Sequence, residues 1–275
     1  MKVGKIIAQG KTKIVYAGPQ NDQVAIENRD IITAGDGAKH DVVKGKGFYV
    51  NETTHDCFLL LRKNGIRNHY VRRVDERTFI AWRLNMIFLE IVIRRVAKGS
   101  YLARHPNTPE GTIFDPPKVG LHFKDNEHND PFALWIEEKG VFELYKPRQP
   151  LAPDTYIRDL KPSELFMPDG HVFGQAEVDQ LYNLGTEVFL ILENAFGKLD
   201  CDLHDLKIEC GWDPSGRIAV GDDFGPDCWR LEERSRGGQT LDKDEYRQQK
   251  ISDSELLGRM GSKYARAAEL TKKFL

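Results

Sequence analysis

Acidic and basic side chains alternate in the run DLKIECG, where Asp205, Lys207 and Glu209 are spaced two residues apart. If this run is a strand, the three side chains share one face. A second run, RIAVGDD, reaches Asp222 after a DPSG turn of the hairpin kind. Glu209 and Asp222 could therefore hold a divalent cation, since Mg²⁺ at phosphoryl-transfer sites is bound by one or two carboxylates and substrate phosphates. The spacing alone is equally typical of an edge hairpin with a solvated, charged face.

Two other runs carry basic side chains suited to phosphate. Lys11 and Lys13 lie in GKTKIVY, and on a strand their ammonium groups would share a face, although Lys-x-Lys strands are more often solvated edges. Arg94 and Ser100 lie in RRVAKGS, and Arg104 follows, so guanidinium groups lie beside a Gly-Ser turn with free backbone N–H donors. The chain has no GxxxxGK[ST] string, which disfavours a P-loop NTPase.

The elements predicted to position these side chains include both strands and helices. Hydrophobic alternation predicts strands, and helical spacing predicts helices at 48–63, 175–196 and from Ser252, where Glu255 completes a capping box. The strands are predicted at 13–16, 23–27, 69–74, 78–82 and 86–93. Residues 105–118 and 131–170 are rich in proline and are predicted to be irregular. The second segment is predicted to be an ordered appendage on the larger lobe or on a neighbouring subunit, with a mobile lid as the alternative.

Composition narrows the class of protein. Of the 275 residues, 40% are hydrophobic, which is ordinary for a globular protein. The chain has 40 basic and 42 acidic side chains, so its net charge gives no indication of nucleic acid or membrane binding. This length suits one large domain or two closely packed ones. The four cysteines lack CxxC spacing, and the N-terminus lacks an apolar signal segment, so we expect a reducing, cytoplasmic environment.

Seven motifs in order give a family resemblance that covers nearly the whole chain. Together they resemble the SAICAR synthetase family, phosphoribosylaminoimidazole-succinocarboxamide synthases of purine biosynthesis. The motifs are GKTKIVY, TAGDGAK, RRVAKGS, FKDNEHNDP, DLKIECG, GDDFGPDCWR and DKDEYR. The chain departs from the family pattern at 131–170, which looks longer and richer in proline than in compact members. We expect a single-function enzyme without the appended carboxylase domain of the animal members.

The resemblance implies a reaction and a fold. SAICAR synthetases use ATP to join the carboxylate of carboxyaminoimidazole ribonucleotide (CAIR) to the amine of L-aspartate, through an acyl phosphate. The implied fold is α+β and two-lobed, similar to ATP-grasp enzymes and protein kinases. The β-rich ATP-binding lobe would cover residues 1–84, and residues 85–275 would form the larger substrate- and Mg²⁺-binding lobe, with the irregular insertion at 131–170. The implied partners are CAIR, L-aspartate and a second copy of the chain, with no nucleic acid or membrane.

Site residues are carried over from the same motifs. By resemblance, the nucleotide and its Mg²⁺ would be bound by Lys11, Lys13, Met86, Lys207, Glu209 and Asp222, with the metal on Glu209 and Asp222. The reacting groups would be contacted by Asp36, Lys124, Asp130 and Lys207. The substrate, including the phosphate of CAIR, would be bound by Asp36, Arg94, Ser100, Arg104, Asp205, Asp227, Arg230, Lys243 and Arg247.

Two alternatives from other classes remain. A protein-kinase-like phosphotransferase would use a lysine of the β-lobe and metal-binding carboxylates too, but it requires an HRD catalytic loop, and the chain contains no HRD string. A non-catalytic nucleotide-binding module would be expected to have lost some charged groups, whereas every motif here keeps its acid or base. The ligase interpretation is therefore preferred.

Overall fold

A computed structural model describes residues 4–165 and 173–275, apart from the side chain of Asp36. A five-stranded antiparallel sheet forms the N-terminal part, in the order β1-β2-β3-β7-β6. Its strands are β1 (Ile6–Gln9), β2 (Lys13–Ala17), β3 (Gln23–Asn28), β6 (Tyr70–Arg73) and β7 (Thr78–Trp82). Between β3 and β6 lie a separate two-stranded ribbon, β4 (Ile31–Ala34) and β5 (Lys39–Val42), and helix α1 (Lys46–Lys63).

A nine-stranded antiparallel sheet forms the rest of the framework, in the order β12-β11-β10-β9-β8-β13-β15-β16, with β14 paired to β13. Its strands are β8 (Asn85–Val96), β9 (Ile113–Phe123), β10 (Phe132–Ile136), β11 (Val141–Tyr145), β12 (Tyr156–Leu160), β13 (Cys201–Trp212), β14 (Ile218–Gly221), β15 (Trp229–Glu233) and β16 (Gln239–Thr240). The helices of this part are α2 (Ser100–Arg104), α3 (Gln175–Gly197), α4 (Asp244–Gln248) and α5 (Ser254–Thr271). Antiparallel sheets combined with helices confirm the predicted α+β class.

The main core lies where α3 packs on β8 and β13. Leu181, Val188 and Leu192 recur at helical spacing on α3 and are completely buried. Gly185 lets the helix approach closely, because a Cβ at that position would lie 2.9 Å from Cγ2 of Ile91. This packing fixes β13, the strand that carries the alternating charges. Within the described residues, no helix is long and apolar enough to span a membrane.

A second, smaller core joins the two ends of the chain. Val50 of α1 packs with Tyr246 of α4 and with Met260 and Tyr264 of α5. The C-terminal helices therefore pack against the N-terminal part of the chain. The two sheets divide between β7 and β8, near the predicted boundary at 84, but the assignment of residues to two lobes stays a prediction.

Three local predictions are wrong. Residues 113–118, predicted to be irregular, begin the long strand β9. The predicted irregular insertion instead forms β10, β11 and β12 between residues 132 and 160. Its prolines among the described residues fall outside these strands, while Ala133, Phe142 and Leu144 enter the core. Its last part, residues 166–170, lies outside the described residues. Helix α5 is capped by Asp253, whose Oδ1 accepts from the Leu256 N–H at 2.7 Å, rather than by Ser252.

Candidate active site

Strand β13 lies at the centre of the site, and its charged side chains alternate with core residues as predicted. Leu206, Ile208 and Cys210 are buried in the core, so Lys207 and Glu209 point to the opposite face. Glu209 lies opposite Glu90 of β8 on one side and Gly221 of β14 on the other. The hairpin therefore brings the residues that follow β14 close to Glu209.

Two lysines converge on the carboxylate of Glu209. The Nζ atoms of Lys124 and Lys207 lie 2.7 Å and 2.8 Å from the same oxygen, Oε1. Lys207 also pairs with Glu90 at 3.1 Å, and Lys124 lies 3.7 Å from Glu90. Lys124 follows the end of β9, so three strands that are distant in sequence supply this arrangement.

Lys13 connects the five-stranded sheet to the same carboxylates. Its ammonium group bonds to Asp222 and lies 2.9 Å from Oδ2 of Asp223. Asp222 adopts a positive φ of 63° directly after β14, which turns its side chain back towards Lys13 and Lys207. The backbone oxygen of Asp222 accepts a hydrogen bond from Nε2 of His69 at 3.0 Å. The acid–lysine cluster thus comprises Lys13, Glu90, Lys124, Lys207, Glu209, Asp222 and Asp223.

The acidic members of the cluster have opposite pKa shifts. Burial opposes ionisation of Glu209, but the ammonium groups of Lys207 and Lys124 outweigh it and lower the pKa of its carboxyl well below its usual range. Burial raises the pKa of Asp222 to about 6, and the neighbouring carboxylates add to this effect against the opposing charge of Lys13. Glu209 therefore remains a carboxylate across the physiological pH range. A further cation near Asp222 would stabilise the ionised form of its carboxyl.

The donor set of the cluster fits Mg²⁺. Hard divalent cations take oxygen ligands, and the cluster offers four carboxylates, on Glu90, Glu209, Asp222 and Asp223. The ammonium groups of Lys124 and Lys207 both contact the Oε1 atom of Glu209. The predicted metal residues Glu209 and Asp222 are among these groups, and their role stays a prediction.

A second cluster is built around Asp205, four residues before Glu209 on β13. Its Oδ2 accepts from Arg94 at 2.5 Å and from Arg230 at 2.6 Å. Arg230 also pairs with Asp244, and Arg247 donates to Asp244 at 2.5 Å. We call these five residues the arginine cluster; three guanidinium groups share two carboxylates, which leaves an excess of positive charge for an anion.

The Gly-Ser turn of RRVAKGS lies against the arginine cluster. Gly99 has a φ of 60°, and a Cβ there would lie 2.6 Å from Nη2 of Arg230. Ser100 follows as the first residue of α2. The guanidinium of Arg230 thus packs on the backbone next to Ser100, and only glycine permits this approach.

Asp227 and Lys243 form a third group beside the arginine cluster. Asp227 pairs with Lys243 and with Lys46, each at 2.9 Å. Burial opposes ionisation of Asp227, but the two ammonium groups lower the pKa of its carboxyl well below its usual range. Lys243 precedes Asp244 of the arginine cluster, so the two groups are continuous along the chain.

Other predicted residues lie outside these groups. Arg104 is buried, donates to the Pro147 carbonyl at 3.0 Å and stacks on Phe132, with no carboxylate partner among the described residues. Met86 of β8 lies opposite Gly211 of β13, near the start of β8, and β8 follows β7 of the five-stranded sheet along the chain.

The remaining predicted residues lie in loops. Asp130 has a φ of 54° and closes its loop, with its Oδ1 accepting from the backbone N–H of Asp125 at 2.9 Å. Lys11 packs over Gly37, where a Cβ would lie 2.7 Å from the Cε of Lys11. Asp36 lies in the same turn, Gly35–Gly37, and its side chain is outside the described residues.

Four residues of the site were missed by sequence reasoning. Glu90 is the single acid in an otherwise apolar strand pattern, and Lys46 lies outside the motifs; only the three-dimensional structure brings them to the site. Asp244 is in the motif DKDEYR but was not selected. Asp223 was not predicted as a metal ligand, whereas its neighbour Asp222 was. Asp223 begins the tripeptide DFG, a string whose aspartate binds Mg²⁺ in protein kinases.

Comparison with known proteins gives a consistent result. Residues 6–259 match the family model described as SAICAR synthetase. A relative from Chloroflexus aurantiacus, named phosphoribosylaminoimidazole-succinocarboxamide synthase, is 38% identical over 275 residues, which cover 100% of this chain and 98% of the relative. A solved structure described as SAICAR synthetase (Type-2) in complex with ADP has a TM-score of 0.72 at 25% identity and covers 94% of this chain and 97% of its own. The crystal structure of the synthase from Ehrlichia chaffeensis shares the fold, with a TM-score of 0.76 at 23% identity and 98% of both chains covered.

Proposed function

This chain belongs to the SAICAR synthetase family, and we propose that its acid–lysine and arginine clusters carry out the reaction of that family. The reaction is an ATP-dependent ligation in purine biosynthesis. It joins the carboxylate of CAIR to the amine of L-aspartate and gives SAICAR, ADP and phosphate. By this reaction the chain acts as a carbon–nitrogen ligase with ATP, CAIR and L-aspartate as substrates.

One observation carries this proposal: a single face of β13 holds both clusters. Asp205 anchors the arginine cluster, and Lys207 and Glu209 belong to the acid–lysine cluster. Glu209 lies four positions after Asp205 on the strand, which corresponds to a distance of roughly 13 Å. A mononucleotide can span this distance with its phosphate at the arginines and its base carboxylate near the lysines.

The nucleotide triphosphate is assigned to the side of the acid–lysine cluster that faces β2. Lys13 reaches the cluster from β2, and Lys11 lies just before that strand. Met86, at the junction of the two sheets, would border the adenine. Glu209 and Asp222 would hold Mg²⁺, whose chemistry is to neutralise charge on the phosphates and polarise the γ-phosphoryl group.

The ribonucleotide phosphate is assigned to the arginine cluster. Arg94 and Arg230 already share the carboxylate of Asp205, so a phosphate can accept hydrogen bonds from the same guanidinium forks. Ser100 and the backbone N–H groups of its turn add donors. Arg104, Asp227, Lys243 and Arg247 complete the proposed substrate-binding set around this position.

The chemistry requires a poor acyl donor to become a good one. A carboxylate oxygen of CAIR attacks the γ-phosphorus of ATP, and ADP leaves. The aspartate amine then attacks the acyl carbon, and phosphate departs with the bridging oxygen. Lys124 and Lys207 would hold the CAIR carboxylate and neutralise the charge that develops on the transferred group; Asp36 and Asp130 are proposed to organise the aspartate substrate.

Catalysis by the isolated protein tests this assignment. We expect ADP release that requires both CAIR and L-aspartate, with SAICAR detected by mass spectrometry in equal amount. ADP release at the same rate without CAIR would contradict the proposed function. We further propose that the enzyme works in the cytoplasm as a homo-oligomer, which cell fractionation and light scattering would test.

A further inference from the structure

We propose that Lys39 is a positioning residue for the ribonucleotide-phosphate site, acting through α4. The inference rests on the proposed function and adds to it a residue that touches neither cluster. Lys39 is the first residue of β5, in the two-stranded ribbon formed by β4 and β5. Its side chain leaves the ribbon and reaches the opposite end of the chain.

The ammonium group of Lys39 caps the C-terminal end of α4. Its Nζ donates to the carbonyl oxygens of Tyr246 and Gln249, both at 2.8 Å. The last carbonyls of a helix have no partner within the helix and carry partial negative charge, so a cation there satisfies and stabilises them. The same Nζ lies 3.8 Å above the ring of Tyr246 and adds a cation–π contact.

The neighbouring Asp41 fixes the same segment at two further points. Its Oδ2 accepts from the hydroxyl of Tyr246 and from the hydroxyl of Ser252, each at 2.7 Å. Tyr246 has no solvent exposure, so its ring and hydroxyl have one defined position. Strand β5 thus holds α4 and the segment that follows it through two charged side chains.

This anchoring matters because α4 is too short to be stable without contacts to the rest of the protein. It has five residues, whereas isolated helices shorter than about 12 residues are marginal in water. Yet Asp244 of α4 pairs with Arg230, and Arg247 of α4 pairs with Asp244. If α4 loosens, Arg230 loses one of its two carboxylate partners, and the guanidinium groups no longer converge on one position. Lys39 would therefore set affinity for the ribonucleotide without contacting it.

Steady-state kinetics and hydrogen exchange of three variants test this role. Lys39→Met removes the cap, Lys39→Arg retains a cation and hydrogen-bond donors, and Lys44→Met removes an equal charge from an exposed position just beyond the same ribbon. Loss of two charge-assisted hydrogen bonds predicts that Lys39→Met raises the KM for CAIR at least about ten-fold. We expect the KM for ATP to stay within about two-fold of the unchanged enzyme, Lys39→Arg to recover most of the loss, and Lys44→Met to behave like the unchanged enzyme.

Hydrogen exchange supplies a readout that does not depend on the reaction. Peptides covering residues 241–250 should exchange faster in Lys39→Met than in the unchanged protein or Lys44→Met. Unaltered exchange there, or an unaltered KM for CAIR, would overturn the inference. A parallel rise in the KM values for CAIR and ATP with a lowered melting temperature would also overturn it, since that pattern indicates general destabilisation. Failure of the unchanged enzyme to use CAIR would instead contradict the proposed function, and the exchange result would still decide the role of Lys39.

Discussion

Replacement of Glu209 by glutamine tests the acid–lysine cluster with a minimal change of shape. The amide keeps an oxygen acceptor for Lys124 and Lys207 but removes the negative charge that both ammonium groups face at 2.7 Å and 2.8 Å. Lys207 retains Glu90 at 3.1 Å, so neither the fold nor the charge of Lys207 should be lost. The change should therefore act on the reaction more than on stability.

The magnitude follows from the contacts. Each charge-assisted hydrogen bond contributes roughly 1.5–3 kcal/mol, and a neutral one about half of that. Two weakened contacts to Glu209 then cost roughly 1.5–3 kcal/mol in holding the two lysines for the reaction, and loss of a carboxylate ligand for Mg²⁺ adds to this cost. At 1.36 kcal/mol for each factor of ten, kcat/KM should fall by roughly 10²–10⁴. The melting temperature should fall by only several degrees, because the side-chain volume is conserved and Lys207 retains its contact with Glu90.

The assay is ADP release at limiting and at saturating Mg²⁺. Glu143→Gln is a matched control, since Glu143 also pairs with a lysine, Lys139, but lies on β11 in the outer part of the sheet. The control should retain normal kinetics at both metal concentrations. A Glu209→Gln enzyme that is folded and turns over near normally at limiting Mg²⁺ would refute the metal assignment.

Three further predictions address the remaining parts of the site. Arg230→Ala should raise the KM for CAIR by about ten-fold or more with little change in the KM for ATP, since guanidinium–phosphate contacts are lost; a rise in the ATP requirement alone would mean that the two phosphate sites are interchanged. Gly99→Ala should weaken CAIR in the same assay because its Cβ would lie 2.6 Å from Nη2 of Arg230, whereas Gly111→Ala, also at positive φ but with open space around it, should not. Burial lowers the pKa of His122 from 6.5 to about 4, so its contribution to the free energy of unfolding is complete above pH 6.5 and is lost as the pH falls towards 4. Urea unfolding gives the free energy of unfolding at pH 7 and at about pH 4.5, and the drop between the two should be roughly 2–3 kcal/mol smaller in His122→Gln than in the unchanged protein. An equal drop in both proteins would show that His122 does not titrate as described.

Local sequence pattern was sufficient for the elements that carry the site. Alternation in DLKIECG placed Lys207 and Glu209 on one face of β13, and the DPSG turn correctly predicted its pairing with β14. The same reasoning placed Lys13 on a strand. These predictions succeed because strand periodicity and turn chemistry are local properties of the chain.

Pairing between distant segments could not be predicted in the same way. Glu90 joins the site because β8 pairs with β13 in a register that sets it opposite Glu209, a contact across more than a hundred residues. Prolines suggested an irregular segment at 131–170, but those among its described residues fall outside the strands, and apolar residues between them form β10 to β12. Asp244 lies on α4, which Lys39 and Asp41 of the ribbon contact from a distant part of the chain.

The fate of the carboxylate oxygens of CAIR tests the proposed reaction most directly. CAIR labelled with ¹⁸O in both carboxylate oxygens is turned over with ATP and L-aspartate, and the released phosphate and SAICAR are analysed by mass spectrometry. Attack of the carboxylate on the γ-phosphorus predicts one ¹⁸O in each phosphate released and one retained in the new amide. Unlabelled phosphate formed together with SAICAR would contradict the acyl-phosphate route and, with it, the role assigned to the acid–lysine cluster.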